Sequence, residues 1–232
     1  MTRLKTTCAA LLACLFVTGP ISAAPPDASA SRVEADWILA RLARPAPMRT
    51  GFVELRGSPL LKAPLRIEGE YQRPREDTLV REVRMPYAET TTIVSGKSGA
   101  GEVRIARAGK SLRTFPLSRA PELGGLQASF GALLSGDRAL LEQHYRIAAD
   151  GTRERWTLVL TPKQAALAAT LRSVVLRGRG AELRCIETRP VKGDLQRTLL
   201  AGAARAAAGI TDAVALTALC QGNGNRTGVA AR

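Results

Sequence analysis

After Pro47 the chain changes to a period-two pattern, and this change constrains the fold more than any other feature of the sequence. In the clearest stretch, from Leu65 to Tyr71, apolar residues alternate with Arg66, Glu68 and Glu70. Such alternation is typical of a strand with one buried face, because successive side chains point to opposite sides. Similar short segments recur at a spacing of roughly ten to twelve residues, as in meandering sheets. The sequence therefore predicts an α+β protein with one curved antiparallel sheet and helices against one face.

The predicted elements follow in a simple order along the chain. Strands are predicted at Phe52–Arg56, Leu65–Tyr71, Thr78–Met85, Glu89–Ser95, Glu102–Ala106, Gln143–Ile147, Glu154–Leu160, Leu171–Leu176, Glu182–Glu187 and Asp194–Leu199. Helices are predicted at Ser31–Ala43, Glu122–Leu134, Asp137–Glu142 and Ala201–Leu219. The last of these is rich in alanine and too weakly hydrophobic for a membrane anchor.

Two of the predicted helices carry start signals. Ser31 is placed to cap the first helix, with Glu34 three residues later as in a capping box. Pro45 ends this helix. Asp137 is placed to cap the short helix in the middle of the chain. The apolar stripe of the first helix comprises Val33, Trp37, Leu39 and Leu42.

The N-terminal segment is predicted to lie outside the fold. Residues 1–23 have a basic start, a short apolar stretch and small residues at a cleavage site, as in a secretory signal peptide. An alternative is that Leu11–Cys14 is a bacterial lipobox, in which case Cys14 would be lipidated and would anchor the protein. A Pro-rich stub at 24–30 follows, then one folded domain at 31–220 and a disordered tail at 221–232. This organisation predicts export to the periplasm.

After signal cleavage the chain retains two cysteines, Cys185 and Cys220. An exported protein meets an oxidising compartment, so the two are candidates for a disulfide. The alternative is a pair of free thiols, because the sequence does not show whether their Cα atoms approach closely enough.

Catalytic, metal and nucleic-acid sites find little support in the sequence. His144 is the only histidine, and one histidine with two cysteines does not make a zinc pattern. Val94–Ser98 resembles the end of a phosphate loop but lacks the earlier glycine. The net charge of +14 is spread over single arginines without an aromatic platform. We therefore predict no enzyme, no metal or other cofactor and no nucleic-acid partner, but a weak, transient attraction to anionic membranes.

A binding role remains. Aromatic residues make up only 4% of the chain, and a curved sheet rich in Leu, Ile and Val can enclose a cavity for one hydrophobic ligand. The alternative is that the same residues fill an ordinary core. The sequence also leaves open which face of each strand points inward, because a shift of one residue exchanges the two faces. The cavity candidates are Phe52, Leu65, Ile67, Tyr71, Leu79, Phe130, Leu134, Trp156, Leu158 and Leu160.

Three local motifs stand out in their order along the chain: Phe52–Glu54 after the first helix, Gly69–Pro74 with its Arg-Pro pair, and Trp156–Lys163 with its Leu-Thr-Pro-Lys end. Together they resemble the LolA family of periplasmic outer-membrane lipoprotein carriers, and its divergent LolA-related branch in particular. They are similar to the first strand of that family, to its Gly-x-aromatic-x-x-Arg-Pro strand end and to its Leu-Thr-Pro-Lys strand end. The chain departs from the family in its scarce aromatics and its Ala-rich C-terminal region.

The resemblance implies an incomplete antiparallel β-barrel with helices as a lid over a hydrophobic cavity. In the family, the arginine of the Arg-Pro pair hydrogen-bonds to the lid and holds it closed, and Arg73 is the matching residue. The implied function is a monomeric carrier of acylated lipoprotein or other lipid, loaded by an inner-membrane releasing transporter and unloaded at an outer-membrane acceptor. The alternative is a lipid-sensing regulatory module of the same fold, which transfers nothing.

Overall fold

The computed structural model describes residues 32–57, 62–96, 101–119 and 131–222, and within them eleven strands form a single antiparallel sheet. The strands are β1 (Met48–Arg56), β2 (Leu65–Arg75), β3 (Thr78–Met85), β4 (Glu89–Ser95), β5 (Gly101–Arg107), β6 (Arg113–Pro116), β7 (Tyr145–Gly151), β8 (Trp156–Pro162), β9 (Leu171–Arg179), β10 (Glu182–Pro190) and β11 (Gln196–Leu200). The helices are α1 (Ala35–Leu42), α2 (131–135), α3 (Arg138–His144), α4 (Ala165–Ala168), α5 (Ala201–Ala206) and α6 (Ala213–Cys220), with a 3-10 turn at Leu117–Arg119.

Two meanders meet at the middle of the sheet. The strand order is β6-β5-β4-β3-β2-β1-β11-β10-β9-β8-β7. Phe52 on β1 lies opposite Gly69 on one side and Leu200 on the other, so β1 joins the early strands to the last one. The edges are β6 and β7, which do not pair with each other in the described part of the chain. The sheet is therefore not closed, and it is the predicted incomplete barrel.

The alternation of side chains divides the sheet into two apolar faces. Phe52 belongs to one buried cluster, whereas its neighbour Val53 and Leu55 belong to another. We call the face of Phe52, Ile67 and Leu158 the inner face, and the face of Val53 and Leu55 the outer face. Both need a covering layer, because an apolar sheet face must be buried against another element.

The helices are distributed over both faces. Ile38, Leu39 and Leu42 of α1 pack on the inner face, together with apolar residues of α2 and α3. Ala203 of α5 and Leu216 of α6 pack on the outer face. The expectation that all helices lie against one face is therefore wrong. The Ala-rich segment supplies the cover of the outer face, which its weak periodicity did not reveal.

Several elements differ from the sequence predictions. The predicted helix at Ala201–Leu219 is two helices, separated at Gly209, whose φ of 72° is a left-handed conformation that favours glycine. The strand β6 and the short helix α4 were not predicted, since neither carries a clear apolar pattern. Most of the predicted helix at Glu122–Leu134, the signal peptide, Cys14, the stub and most of the tail lie outside the described residues.

Of the two predicted helix N-caps, one is confirmed, and the start of the other helix differs from the prediction. Asp137 is the N-cap of α3, and its carboxylate accepts a hydrogen bond of 2.9 Å from the amide of Leu140, so that prediction is confirmed. The helix α1 instead begins at Ala35 with Glu34 at the N-cap position and no side-chain cap. Ser31, the predicted cap, lies outside the described residues.

Candidate functional site

The inner face presents a continuous apolar surface across most of the sheet. Seven of the predicted cavity residues are buried in one cluster there: Phe52, Ile67, Tyr71, Leu79, Trp156, Leu158 and Leu160. Leu65 is half-buried against the same cluster. Leu134 is half-buried on α2, and Phe130 lies outside the described residues. The structure thus brings together candidates from both meanders, which are far apart in sequence.

Helices α1, α2 and α3 lie over this surface, and we call them the helical cover. The helix α1 packs against β7, β8 and β10. Its buried residues are Ala35, Ile38, Leu39 and Leu42, at helical spacings of three and four. Ile38 is absent from the predicted stripe, and Trp37, which is in it, is only half-buried. The correct stripe was visible as the i, i+3, i+4, i+7 pattern that starts at Ala35.

The helix α1 is fixed to its surroundings at both ends. Before its first turn, the amide of Val33 donates to the carbonyl of Gly151 at the end of β7, at 3.0 Å. After its last turn, the amide of Arg44 donates to the carbonyl of Leu134 on α2, at 2.7 Å. An exposed ion pair of 2.9 Å between Asp36 and Arg138 joins α1 to α3. A few polar contacts thus fasten a helix whose main attachment is apolar.

Arg73 connects the sheet to this cover. Although it is an arginine, it is only 5% exposed. One guanidinium nitrogen, Nη1, donates to the carbonyl of Arg44 at 3.2 Å. The other, Nη2, donates to the carbonyl of Glu76 at 3.3 Å and forms an ion pair with the Glu76 carboxylate. The contact with Arg44 ties the end of α1 to β2.

A polar group that no motif in the sequence marks lies within the inner face. The carboxylate of Glu54, 4% exposed, accepts from Arg56 at 2.6 Å and from Arg81 at 2.8 Å. The Arg81 guanidinium also lies over the ring of Phe52, 4.9 Å from its centre. Burial raises the pKa of the neighbouring Tyr71 phenol. The group could offer hydrogen bonds to the polar end of an amphiphilic ligand.

The outer face is held in a different way. Cys185 on β10 and Cys220 on α6 form a disulfide with their Cα atoms 5.1 Å apart. Beside it, the buried carboxylate of Glu187 pairs with Arg177 at 3.3 Å and with Arg197 at 3.1 Å. These contacts attach α6 and three strands to one another on the side away from the helical cover.

The residues that the structure describes do not form a metal site, and the histidine among them lies at a helix end. His144 ends α3, and its Nδ1 lies 3.3 Å from the side-chain amide of Gln164. No group of three His, Cys, Asp or Glu side chains in the described ranges could hold a metal ion. None of the helices described here is long and apolar enough to span a bilayer.

Comparisons with known proteins identify one family. Residues 27–223 match the family model described as "Outer membrane lipoprotein carrier protein LolA-like". Among solved structures, the LolA superfamily protein NE2245 from Nitrosomonas europaea matches with 12% identity and a TM-score of 0.37, over 73% of this chain and 91% of that one. LprF from Mycobacterium bovis matches with 14% identity and a TM-score of 0.31, over 74% and 94%. No curated protein matches the chain.

Proposed function

This chain belongs to the LolA-like family of outer membrane lipoprotein carrier proteins. From that premise we propose that it carries lipid-modified cargo across the periplasm toward the outer membrane. The observation that carries the proposal is the apolar cluster between the inner face and the helical cover. The cargo class is acyl chains, either of a lipoprotein or of another lipid. The protein acts by binding alone, without catalysis.

Binding requires the cover to move. The side chains of Trp156, Leu158 and Ile67 are at most 1% exposed, so the described state is closed. An acyl chain that enters between α1 and the sheet breaks the apolar contacts between them and replaces these with its own apolar contacts to both. Each buried methylene contributes about 0.8 kcal/mol, so a long chain supplies on the order of 10 kcal/mol against the cost of separating α1. Because the cost of separating α1 from the sheet offsets part of this gain, bound cargo can also be released.

Arg73 is the proposed latch of this movement. Its hydrogen bond to the carbonyl of Arg44 must break if α1 leaves the sheet. A hydrogen bond of this kind contributes about 0.5–1.5 kcal/mol net, more when one partner is charged. This is small enough to yield to an incoming acyl chain and large enough to favour the closed state without cargo.

The proposed cellular setting follows the family. The protein is exported by its signal peptide and acts in the periplasm as a monomer. It receives cargo from a releasing transporter at the inner membrane and delivers it to an acceptor at the outer membrane. The disulfide between Cys185 and Cys220 supports this setting, since such bonds persist in oxidising compartments.

The first experiment is native mass spectrometry of the mature protein purified from the periplasm, followed by organic extraction. Co-purified lipid or acylated peptide would support the proposal and identify the cargo class. The same protein is then titrated with a fluorescent fatty acid that accepts energy from tryptophan. The chain has two tryptophans, so Trp37→Phe leaves Trp156 of the inner face as the only donor. We expect energy transfer from Trp156 to the fluorescent fatty acid to saturate, and we expect unlabelled fatty acid to abolish it by competition.

Two results would count against the proposal. A protein without bound lipid that also takes up no fatty acid would mean that the cluster is only a core. A protein that binds lipid but passes none of it from donor to acceptor vesicles would instead be the lipid-sensing module. The intact mass of the exported protein shows whether it carries a lipid anchor. Only lipidation of Cys14 would add the mass of acyl chains at a new N-terminal cysteine.

A further inference from the structure

Five turns of the sheet lie along the same edge, at one end of the strands. Because neighbouring strands are antiparallel, these are the β1–β2, β3–β4, β5–β6, β8–β9 and β10–β11 turns. We call this the basic turn end, and it comprises the described residues of 57–64, 86–88, 108–112, 163–170 and 191–195. The described residues of the other strand turns lie at the opposite end, where α1 begins and Arg73 lies.

Charge is unevenly divided between the two ends. Every lysine of the described ranges is exposed and lies in a turn of the basic turn end: Lys62, Lys110, Lys163 and Lys192. Asp194 is the one acidic residue among the described residues of these turns. The described turns at the opposite end mix both signs, with Glu76, Asp77 and Glu154 beside Arg153 and Arg155. The lysines therefore give one end of the molecule a positive potential.

Exposed apolar side chains accompany these lysines. Met85, the last residue of β3, is 58% exposed, and Leu112 in the β5–β6 turn is 62% exposed. Leu112 and Lys110 line an open cleft of about 590 Å³, in which Arg84 and Arg107 form ion pairs with Glu82 and Glu89. Of the large apolar side chains found exposed in the described residues, only Val214 lies elsewhere. Cations around protruding apolar side chains are typical of surfaces that bind the membrane interface.

We propose that the basic turn end docks on an anionic phospholipid surface. The lysines are attracted to the negatively charged headgroups, and Met85 and Leu112 enter the interface between them. The sequence predicts only a weak, unlocalised attraction from net charge, whereas the structure assigns it to five turns. The inference goes beyond the proposed carrier function, because it concerns a surface apart from the inner face and needs no cargo.

Vesicle sedimentation with the mature protein tests this proposal. The probes are vesicles of phosphatidylcholine alone and of phosphatidylcholine mixed with phosphatidylglycerol. Binding is expected to the mixed vesicles at low salt and is expected to weaken as salt screens the charges. Lys110→Gln with Lys192→Gln should lower the partition coefficient about fivefold for each lysine. Met85→Ser with Leu112→Ser should also lower it, and its effect should persist at high salt.

Matched controls at other places make the test specific. Arg75→Gln with Arg179→Gln removes the same charge from exposed positions at the opposite end. Val214→Ser removes an exposed apolar side chain from α6. Both controls should bind within about twofold of the parent. Equal losses in controls and test variants, or no preference for anionic vesicles at low salt, would overturn the proposal; the latter would leave the surface to a protein partner.

The same variants separate this proposal from the carrier function. Fatty-acid uptake by the lysine and Met85/Leu112 variants should equal that of the parent, since none of these residues belongs to the inner-face cluster. If the protein takes up no fatty acid but still binds anionic vesicles, the carrier function fails and the docking surface remains. If the protein takes up fatty acid normally but does not bind anionic vesicles, the docking surface fails and the carrier function remains.

Discussion

Arg73 on β2 donates a hydrogen bond to the backbone carbonyl of Arg44, 3.2 Å away, and Arg44 is held in turn by the carbonyl of Leu134. One buried guanidinium therefore links the sheet, the end of α1 and α2. This relationship gives the helical cover a defined polar attachment in addition to its apolar packing.

Removal of this attachment should slow the release of lipid. Arg73→Leu removes the donor to Arg44 and keeps an apolar stem, so lipid uptake should persist. Release to acceptor vesicles should become about two- to tenfold slower, because the closed, cargo-free state loses the hydrogen bond that favours it. Arg75→Leu on the same strand is the control, because Arg75 is exposed and pairs with Asp77. Stopped-flow transfer measures the rate, and an unchanged rate in Arg73→Leu would remove the latch role while leaving the carrier function.

The buried Glu54 group should respond strongly to the loss of a partner. Arg81→Met leaves the Glu54 carboxylate with Arg56 as its remaining ion-pair partner in a site that is 4% exposed. We expect the free energy of unfolding to fall by about 3 kcal/mol, because a buried charge becomes poorly compensated. Arg84→Met, which breaks surface pairs with Glu70 and Glu82, should cost under about 1 kcal/mol.

A second variant distinguishes charge from packing at this position. Glu54→Gln combined with Arg81→Met removes both charges and should recover most of the lost stability in urea unfolding. If the double variant is as unstable as Arg81→Met alone, the guanidinium acts through its packing on Phe52.

Tyr71 should make the protein sensitive to alkaline pH. Burial raises the pKa of its phenol above the ordinary value of 10.0, so the folded state favours the protonated form. This contribution to stability is complete below pH 10 and is lost as the pH rises through the raised pKa of the folded state. Tyr71→Phe should flatten that loss in thermal unfolding measured against pH. Tyr87→Phe is the comparison, and equal profiles for the two variants would assign the alkaline loss to other groups.

The disulfide should stabilise the fold without affecting the inner face. The two cysteines are 35 residues apart, and closing such a loop stabilises by about 3–4 kcal/mol in the chain-entropy description. Cys185→Ala with Cys220→Ala should therefore lower the unfolding temperature and leave fatty-acid affinity unchanged. The intact protein should gain two mass units on reduction. An equal mass before and after reduction would mean that the thiols are free in the purified protein.

The sequence predicted the parts of the fold that depend on local pattern. The alternation around Ile67 placed β2, and Asp137 before an apolar turn placed the start of α3. The strand β6 was missed because Arg113 and its neighbours lie at a sheet edge, where exposure removes the alternation. The division of the C-terminal helix depends on the backbone at Gly209, which an Ala-rich pattern does not reveal.

The site depended on contacts that are distant in sequence. Glu54 and Arg81 are ordinary charged residues of two strands, and only the packing of β1 beside β2 and β3 brings them together. The resemblance indicated Arg73, but its partner Arg44 lies in a connection without a motif. The basic turn end was equally hidden, since its lysines are single residues in separate turns.

The pairing of β1 with β11 has a consequence for how the protein is made. Phe52 and Leu200 are neighbours across the sheet but are separated by about 150 residues of chain, so their contact has a high contact order. The strand pair that joins the two meanders has to wait for the C-terminal residues. A chain that crosses a membrane as an unfolded thread would therefore complete its sheet only after nearly all of it has arrived on the far side.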